Sequence, residues 1–254
     1  MSERIDELGI DNLKIIQNSD YFCFGTDSVL LANFVKSNSN SNVILELCSG
    51  SGVIPVIISA KKKYSKIFAV ELQNEMFDLL KRNIEYNKLE EKIIPIHEDI
   101  KEIKSIKDKI REKIDIVVVN PPYKTVGTGI LNDNDIKYIA KHEVKCTLED
   151  IFSTSARLTK YKGKLYMVHK PERLVDVLCV ARKYNFEAKQ MQLVYPKSNL
   201  APSIVLVEYV LGGGNELRIS KPLIEYNNDG SYTKEFLKIY ESNENVDTRE
   251  EEIN

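Results

Sequence analysis

The sequence predicts an α/β fold whose central sheet is mostly parallel and has an antiparallel last strand. From residue 43 onward, short apolar runs alternate with helix-like segments, which is the pattern of β-α-β units. The first run, Val43–Cys48, is almost wholly apolar, as expected of a strand that is covered on both faces. The last two runs, Phe186–Tyr195 and Ile204–Leu211, are joined by a proline-containing turn, which favours an antiparallel pair.

The segment before residue 43 is expected to form a hairpin and a helix. Apolar runs at Leu13–Gln17 and Tyr21–Phe24 flank the turn-forming sequence Asn-Ser-Asp, so we predict a β-hairpin there. Thr26–Ser28 then offers N-cap candidates for a helix that ends at the polar loop 37–42.

The elements between the first strand and the last pair follow from the periodicity of apolar residues. The predicted strands are Lys66–Leu72, Ile93–His97, Asp115–Val119 and Lys164–Val168. The predicted helices are Val53–Lys62, Glu75–Asn87, Thr147–Lys160 and Pro171–Tyr184, with a lysine-rich helix or loop over Ile100–Lys113. The segment Tyr123–Cys146 shows no clear periodicity. Long segments of this kind inside a domain are usually functional or disordered, so we expect a mobile lid.

Composition places the chain among ordinary globular proteins. Its 254 residues are 43% hydrophobic and 29% charged, enough for one large domain or one domain with an appendage. No apolar run approaches the ~18 residues of a membrane span, and the start lacks an export signal, so we expect a cytoplasmic protein. The four cysteines are widely spaced without a C-x-x-C pair, which predicts reduced thiols and no metal site.

The net charge of −2 is unevenly distributed along the chain. Residues 241–254 hold six acids and one base, and we expect a disordered acidic tail. Residues 160–197 hold nine basic residues against three acids, which indicates a basic face near the functional site. We therefore divide the chain into a hairpin and helix extension (1–42), a main domain (43–240) and a tail (241–254).

A glycine-rich turn follows the first strand of the main domain. The sequence Glu46-Leu-Cys-Ser-Gly-Ser-Gly52 lets the backbone approach a ligand closely, at the end of the strand where open α/β sheets bind ligands. Glu71 ends the next strand, 21 residues after Gly50, where an acid can bind both ribose hydroxyls of an adenosine cofactor. Pro55 replaces the third glycine of a dinucleotide motif. The pattern therefore favours S-adenosylmethionine (SAM), which has no pyrophosphate.

Polar residues also follow the third and fourth strands. Asp99 can reach the adenine amino group or cap a helix. Asn120-Pro-Pro-Tyr123 must turn the chain, because two prolines fix its backbone. The Asn120 amide and the Pro121 carbonyl offer acceptors for an amino group, and Tyr123 offers a face for stacking. This set suits a planar exocyclic or amide nitrogen that receives a methyl group.

These motifs resemble those of the class I SAM-dependent methyltransferases, which have a Rossmann-like fold. The sequence N-P-P-Y is typical of members that act on planar nitrogens. Residues 24–32, F-G-T-D-S-V-L-L-A, are similar to the N-terminal motif of the "methyltransferase small" group. Segments 142–143, 168–173, 195–214, 222–223 and 232–233 resemble the bacterial tRNA1(Val) (adenine(37)-N6)-methyltransferase family. The resemblance covers roughly residues 5 to 240 and assigns no firm role to His142 and Glu143.

The resemblance implies methyl transfer from SAM to N6 of an adenine in the tRNA anticodon loop, with tRNA as partner and neither metal nor membrane. It implies that Asn120 and Pro121 hold the target amino group and that Tyr123 stacks on the base. The cofactor contacts it implies are Phe24, Thr26, Asp27, Glu46, Cys48, Gly50, Gly52, Glu71, Leu72, Asp99, Ile100 and Asn120.

Three alternatives use the same motifs. A protein glutamine N5-methyltransferase applies N-P-P-Y to a side-chain amide, but its relatives usually carry a helical N-terminal domain for which this chain has no room. An rRNA guanine-N2 methyltransferase often has Phe in place of the Tyr. A SAM-binding scaffold without transferase activity is the non-enzyme alternative, and the intact Asn120 and Tyr123 disfavour it.

Overall fold

A central sheet organises the computed structural model, which describes residues 3–21, 23–122 and 146–240. Within these ranges the strands are β1 (Glu3–Glu7), β2 (Lys14–Asn18), β3 (Val43–Leu47), β4 (Lys66–Glu71), β5 (Ile93–His97), β6 (Ile114–Val119), β7 (Thr159–His169), β8 (Phe186–Tyr195), β9 (Ile204–Leu211), β10 (Arg218–Ile219) and β11 (Leu223–Ile224). The helices are α1 (Thr26–Phe34), α2 (Val53–Lys61), α3 (Asn74–Tyr86), α4 (Ile103–Ile110), α5 (Leu148–Leu158), α6 (Leu174–Lys183) and α7 (Lys234–Leu237), with single 3₁₀ turns at Pro171–Arg173 and Lys238–Tyr240.

The strand order in the central sheet is β5-β4-β3-β6-β7-β9-β8, and the two short strands β10 and β11 both pair with β8. Strands β3 to β7 are parallel, whereas β9 runs antiparallel to both β7 and β8. The predicted α/β class, the mostly parallel sheet and the antiparallel last strand are confirmed. Strands β3 to β8 therefore all end at one edge of the sheet, here called the carboxyl edge.

Alternating residues of each strand build a core on both faces of the sheet, as the apolar strand sequences predict. Ile44 and Val118 face the cluster that includes α1, α2 and α3. Leu45 and Val117 face the opposite cluster, with α4, α5 and α6. With both faces covered, backbone groups remain accessible chiefly at the sheet edges, and ligands of such sheets bind at the carboxyl edge.

The predicted pairing of the N-terminal hairpin is wrong. Strand β2 pairs instead with β1, in antiparallel register from Glu3 opposite Asn18. The connecting turn places Asp11 and Asn12 in left-handed backbone conformations, which Asn and Asp tolerate better than most residues. Strand β1 reads Glu-Arg-Ile-Asp-Glu and is largely exposed, so it lacks the alternation of apolar residues that identifies a strand.

Other differences are local. Gly25 rather than Thr26–Ser28 is the N-cap of α1, and Pro171 opens a 3₁₀ turn before α6. Strand β7 begins at Thr159, five residues before the predicted start, and passes through a register irregularity opposite Ile114–Ile116. The proposed lid falls on residues 123–145 and the acidic tail on residues 241–254, both outside the described residues. The division into extension, main domain and tail stays a prediction. None of the helices in the described ranges is long and apolar enough to span a bilayer.

Candidate functional site

The glycine turn lies at the carboxyl edge, between the end of β3 and the start of α2. Gly50 and Gly52 have φ angles of 56° and 84°, which glycine adopts without strain. A Cβ on Gly52 would overlap with Leu80 Cδ1 of α3, so the turn packs closely against that helix. Ser49 accepts a hydrogen bond from Gly52 N–H at 2.9 Å, which closes the turn. The backbone is thus held in the compact form that the sequence predicts.

Glu71 lies beside this turn and is held by three backbone donors. Its Oε2 accepts a hydrogen bond from Gly50 N–H at 2.8 Å, and its Oε1 accepts from Leu72 N–H and Gln73 N–H at 3.0 and 2.9 Å. The side chain is only 5% exposed, and burial raises the pKa of the carboxyl while these hydrogen bonds oppose the rise. The structure therefore brings Gly50 and Glu71 together and orients an acceptor group at the end of β4.

Glu46 is a second buried acid at the same edge. It lies in β3 with 1% exposure, and its Oε2 has no hydrogen-bond partner among the described residues. Burial raises the pKa of Glu46 well above 4.5, and the nearby Glu71 charge adds to the rise. A carboxyl group that keeps its proton can donate a hydrogen bond, which an ionised one cannot.

Asn120 directly follows β6, and its side chain contacts the first turn of α1. Its Nδ2 donates to Ser28 Oγ at 2.9 Å and to Asp27 Oδ2 at 3.3 Å. Because the amide hydrogens point toward α1, the carbonyl Oδ1 lies on the opposite side of the amide group. Pro121 is buried and Pro122 is exposed, and Tyr123 lies outside the described residues.

Asp99 and Ile100 follow β5, the strand that pairs with β4 and its last residue Glu71. Glu98 N–H donates to Glu71 O at 3.1 Å, so the end of β5 continues beside the end of β4. Asp99 Oδ1 accepts from Lys101 N–H at 3.0 Å in the turn before α4, whose N-cap is Glu102, so Asp99 does not cap this helix. Ile100 is buried, and its carbonyl accepts from Thr154 Oγ1 at 2.8 Å. The two acids therefore share the edge that the sequence predicts for them.

The remaining predicted residues surround this edge. Leu72 O contacts His97 Nε2 at 2.9 Å. Phe24 is half-buried against the core, and its N–H donates to Gln17 Oε1 at 2.9 Å. Thr26 is exposed at the first position of α1, beside the Asp27–Asn120 contact. No group of three or more potential metal ligands occurs within the described ranges.

Sequence reasoning missed two contacts at the site. Ser28, considered only as an N-cap candidate, is a hydrogen-bond partner of Asn120. Cys48, in the glycine turn, lies with its Sγ 3.7 Å from Cys146 Sγ. Neither contact has a local signature, because the partners are 92 and 98 residues apart in the chain.

The expectation that residues 160–197 begin near the site is wrong. Lys164 pairs with Ile116 in the middle of β6, whereas Asn120 follows Val119, the partner of Met167. At about 3.3 Å per residue, Lys164 lies more than 10 Å back toward the amino edge. Several charges of this stretch are also compensated. The ion pairs are Lys160–Asp115, Lys164–Glu208 at 3.0 Å, Arg182–Glu187 at 2.6 Å and Lys183–Glu149 at 2.8 Å.

Known proteins resemble the chain in sequence. Residues 27–137 match the model of the TRM5/TYW2 methyltransferase domain family. A tRNA1(Val) (adenine(37)-N6)-methyltransferase of Dyadobacter fermentans is 27% identical over 139 residues, 55% of either chain, so the match spans about half the length of that relative. The protein of the same name from Tolumonas auensis is 23% identical over 216 residues, 85% of this chain and 86% of the relative. The resemblance inferred from the motifs is confirmed.

The fold also has solved counterparts. A predicted O-methyltransferase from Agrobacterium tumefaciens superposes with a TM-score of 0.67 at 18% identity, covering 84% of this chain and 95% of the other. At this identity the likeness concerns the fold alone.

Proposed function

We propose that the chain is a class I methyltransferase that uses S-adenosylmethionine and that it methylates the N6 amino group of an adenine in tRNA. The observation that carries the proposal is the placement of Asn120, at the carboxyl edge and with its amide oriented by α1. The relatives named as tRNA1(Val) (adenine(37)-N6)-methyltransferases support an adenine in the anticodon loop as the target.

The residues at the carboxyl edge fit SAM. Gly50 and Gly52 provide a turn without side chains that the methionine part can approach, and Glu71 presents a fixed carboxylate for the ribose hydroxyls. Asp99 lies two residues after the end of the next strand, β5, where it would meet the adenine amino group. When bound, SAM supplies a methyl group that is activated by its sulfonium charge.

Asn120 acts on the target by accepting hydrogen bonds. The adenine N6 is a weak nucleophile, since its lone pair is delocalised into the ring. Asn120 Oδ1 and the Pro121 carbonyl accept hydrogen bonds from N6–H and so aim the N6 lone pair at the methyl group. The binding free energy of these contacts offsets the orientational entropy that the reacting groups lose. As positive charge grows on N6, these hydrogen bonds strengthen, so they stabilise the transition state more than the bound substrate.

Ser28 and Asp27 keep this acceptor in position. Their contacts with Asn120 Nδ2 hold the amide in one orientation, so it need not rotate during the reaction. No dedicated base is required, since N6 becomes acidic once it carries the methyl group. Asn120 and Pro121 therefore hold the methylated N6 in place until water accepts its proton.

The target adenine must leave its stack to reach Asn120, and an anticodon loop supplies unstacked bases. We place the tRNA against the carboxyl edge, in the cytoplasm. Protein glutamine and rRNA guanine remain the competing substrates, and the names of the relatives support neither of these two.

The test is to incubate the full chain with methyl-labelled SAM and, in parallel, total tRNA, total rRNA or a protein extract. We expect label in tRNA alone, recovered after nuclease digestion as N6-methyladenosine. Label confined to rRNA or protein would overturn the proposed substrate. SAM binding without any label transfer would leave only the scaffold alternative.

A further inference from the structure

Two thiols meet at the glycine turn. Cys48 Sγ and Cys146 Sγ are 3.7 Å apart, although 98 residues separate them in the chain. Both side chains pack against the same apolar cluster below the sheet. The other two cysteines are placed differently, because Cys23 Sγ contacts the Asn18 carbonyl and Cys179 is exposed on α6. None of the four forms a disulfide in this structure.

The two thiols belong to parts of the site that are far apart in the sequence. Cys48 directly follows β3 and adopts a left-handed backbone conformation with φ 59°. Cys146 precedes Thr147, whose side chain caps α5 in a capping box. Two residues after Cys48, Gly50 N–H donates to Glu71. A bond between the sulfurs would therefore tie the cofactor turn to the start of α5.

We propose that Cys48 and Cys146 are an oxidisable dithiol that hydroperoxides convert to a reversible disulfide, and that this disulfide weakens SAM binding. A disulfide needs the sulfurs at about 2.05 Å, so each must move by less than 1 Å from the present contact. The approach displaces Cys48 in a turn whose backbone is already constrained by Gly52 and Glu71. The effect on SAM rests on the proposed function, whereas the formation of the disulfide does not.

The oxidation balances with hydrogen peroxide as the oxidant. The hydrogen bond to Cys146 and burial raise the pKa of the Cys48 thiol, so we write the first step at Cys146. Its thiolate attacks one peroxide oxygen, the O–O bond breaks, and the leaving hydroxide takes up a proton as water. Cys48 sulfur then attacks the sulfenic sulfur, the S–S bond forms, and the S–O oxygen leaves as a second water with the Cys48 proton. A small dithiol reverses the step by exchange.

The first measurement is chemical. The full chain is treated with hydrogen peroxide, its remaining thiols are blocked with N-ethylmaleimide, and the mass and peptide map are recorded. We expect a loss of two hydrogens and a peptide pair linked through Cys48 and Cys146, restored by dithiothreitol. In Cys146→Ser this species disappears, whereas Cys179→Ser, which removes an exposed thiol, retains it. A map without the linked pair, or with links to Cys23 or Cys179 only, overturns the proposal.

The second measurement is SAM affinity by calorimetry on the reduced and oxidised chain. We expect at least fivefold weaker binding after oxidation, recovered with dithiothreitol, and no change on peroxide treatment of Cys146→Ser. A linked chain that binds SAM as tightly as the reduced one overturns the regulatory part. If the reduced chain binds no SAM at all, the proposed function fails, and the peptide map alone decides whether the dithiol is real.

Discussion

Asn120 Nδ2 donates a hydrogen bond of 2.9 Å to Ser28 Oγ, and this contact joins the end of β6 to the first turn of α1. The two residues are 92 positions apart. Helix α1 lies within residues 1–42, the predicted extension, so this part of the chain orients the residue proposed to hold the target. The extension is thus part of the proposed site.

Replacing Asn120 with Ala should lower methyl transfer far more than SAM binding. The loss of an acceptor that strengthens in the transition state is usually worth about 100- to 1000-fold in turnover. Ser28→Ala should cause a smaller loss, because Asp27 still orients the amide. Single-turnover rates and calorimetric SAM affinities provide the comparison, with the exposed Asn215→Ala as the matched control. Equal loss of SAM affinity and rate in Asn120→Ala would reassign this residue to the cofactor.

Glu71→Ala should weaken SAM binding by about 1.5–3 kcal/mol, the scale of hydrogen bonds to a charged group, or about 10- to 150-fold in Kd. The carboxylate is positioned by Gly50, Leu72 and Gln73, so its removal also frees three backbone donors. Urea unfolding should therefore accompany the calorimetry. Glu75→Ala, an exposed acid in the first turn of α3, serves as control and should bind SAM normally. A folded Glu71→Ala chain with unchanged affinity would remove Glu71 from the site.

The sequence is informative where the relevant pattern is local. The apolar run of β3, the glycine turn after it and the acid that ends β4 are each readable within a few residues, and the parallel order of strands places them at one edge. The polar strand β1 and the two-residue strands β10 and β11 carry no such periodicity, so they were missed. The basic stretch was misplaced for a topological reason. Its first lysines lie at the amino end of β7, whereas the site lies where the strands end.

Gly52→Ala should destabilise the chain for two reasons, a steric overlap and an unfavourable backbone conformation. A Cβ at this position would overlap with Leu80, and φ 84° is strained for any other residue. Overpacking typically costs 1–3 kcal/mol, and we expect a loss of about that size in the free energy of unfolding by urea. Gly214→Ala is the matched control, since a Cβ added at this position would have nothing within 4 Å. Equal stability of the two variants would show that the turn is not packed against α3 as described.

Glu46→Gln should stabilise the chain at neutral pH. The pKa of Glu46 is raised by burial, so as the pH rises above 4.5 the carboxyl ionises first in the unfolded chain, and this favours unfolding. A neutral amide removes that contribution. The gain should be larger at pH 7 than at pH 5 and should shrink as the pH falls toward 4.5. Urea unfolding at pH 7 and pH 5 measures it, with the exposed Glu90→Gln as control. A gain that is independent of pH would contradict the ionisation argument.

The surface that meets RNA should lie at the carboxyl edge rather than along residues 160–164. Lys170 directly follows β7, and its Nζ approaches Ser203 O at 3.4 Å, while Lys197 follows β8. Beyond β8, the rings of Tyr226 and Tyr232 stack with centroids 4.8 Å apart, and Tyr226 N–H donates to Pro196 O at 3.0 Å. Tyr232 is exposed and Tyr226 is half-buried. Basic residues together with aromatic rings are a usual combination for binding unstacked bases and their phosphates.

We therefore expect Lys170→Glu combined with Lys197→Glu to weaken tRNA binding about tenfold or more and to leave SAM affinity unchanged. Phosphate contacts release counterions, so the slope of log Kd against log salt concentration should decrease by about 1–2 in the double variant. Lys162→Glu is the matched control, since Lys162 lies at the amino end of β7, where its Nζ donates to Gly212 O at 2.5 Å. Filter binding at several salt concentrations gives both quantities. If the slope stays constant in the double variant and falls in Lys162→Glu, the RNA approaches from the amino edge, and the placement of tRNA beside Asn120 has to be abandoned.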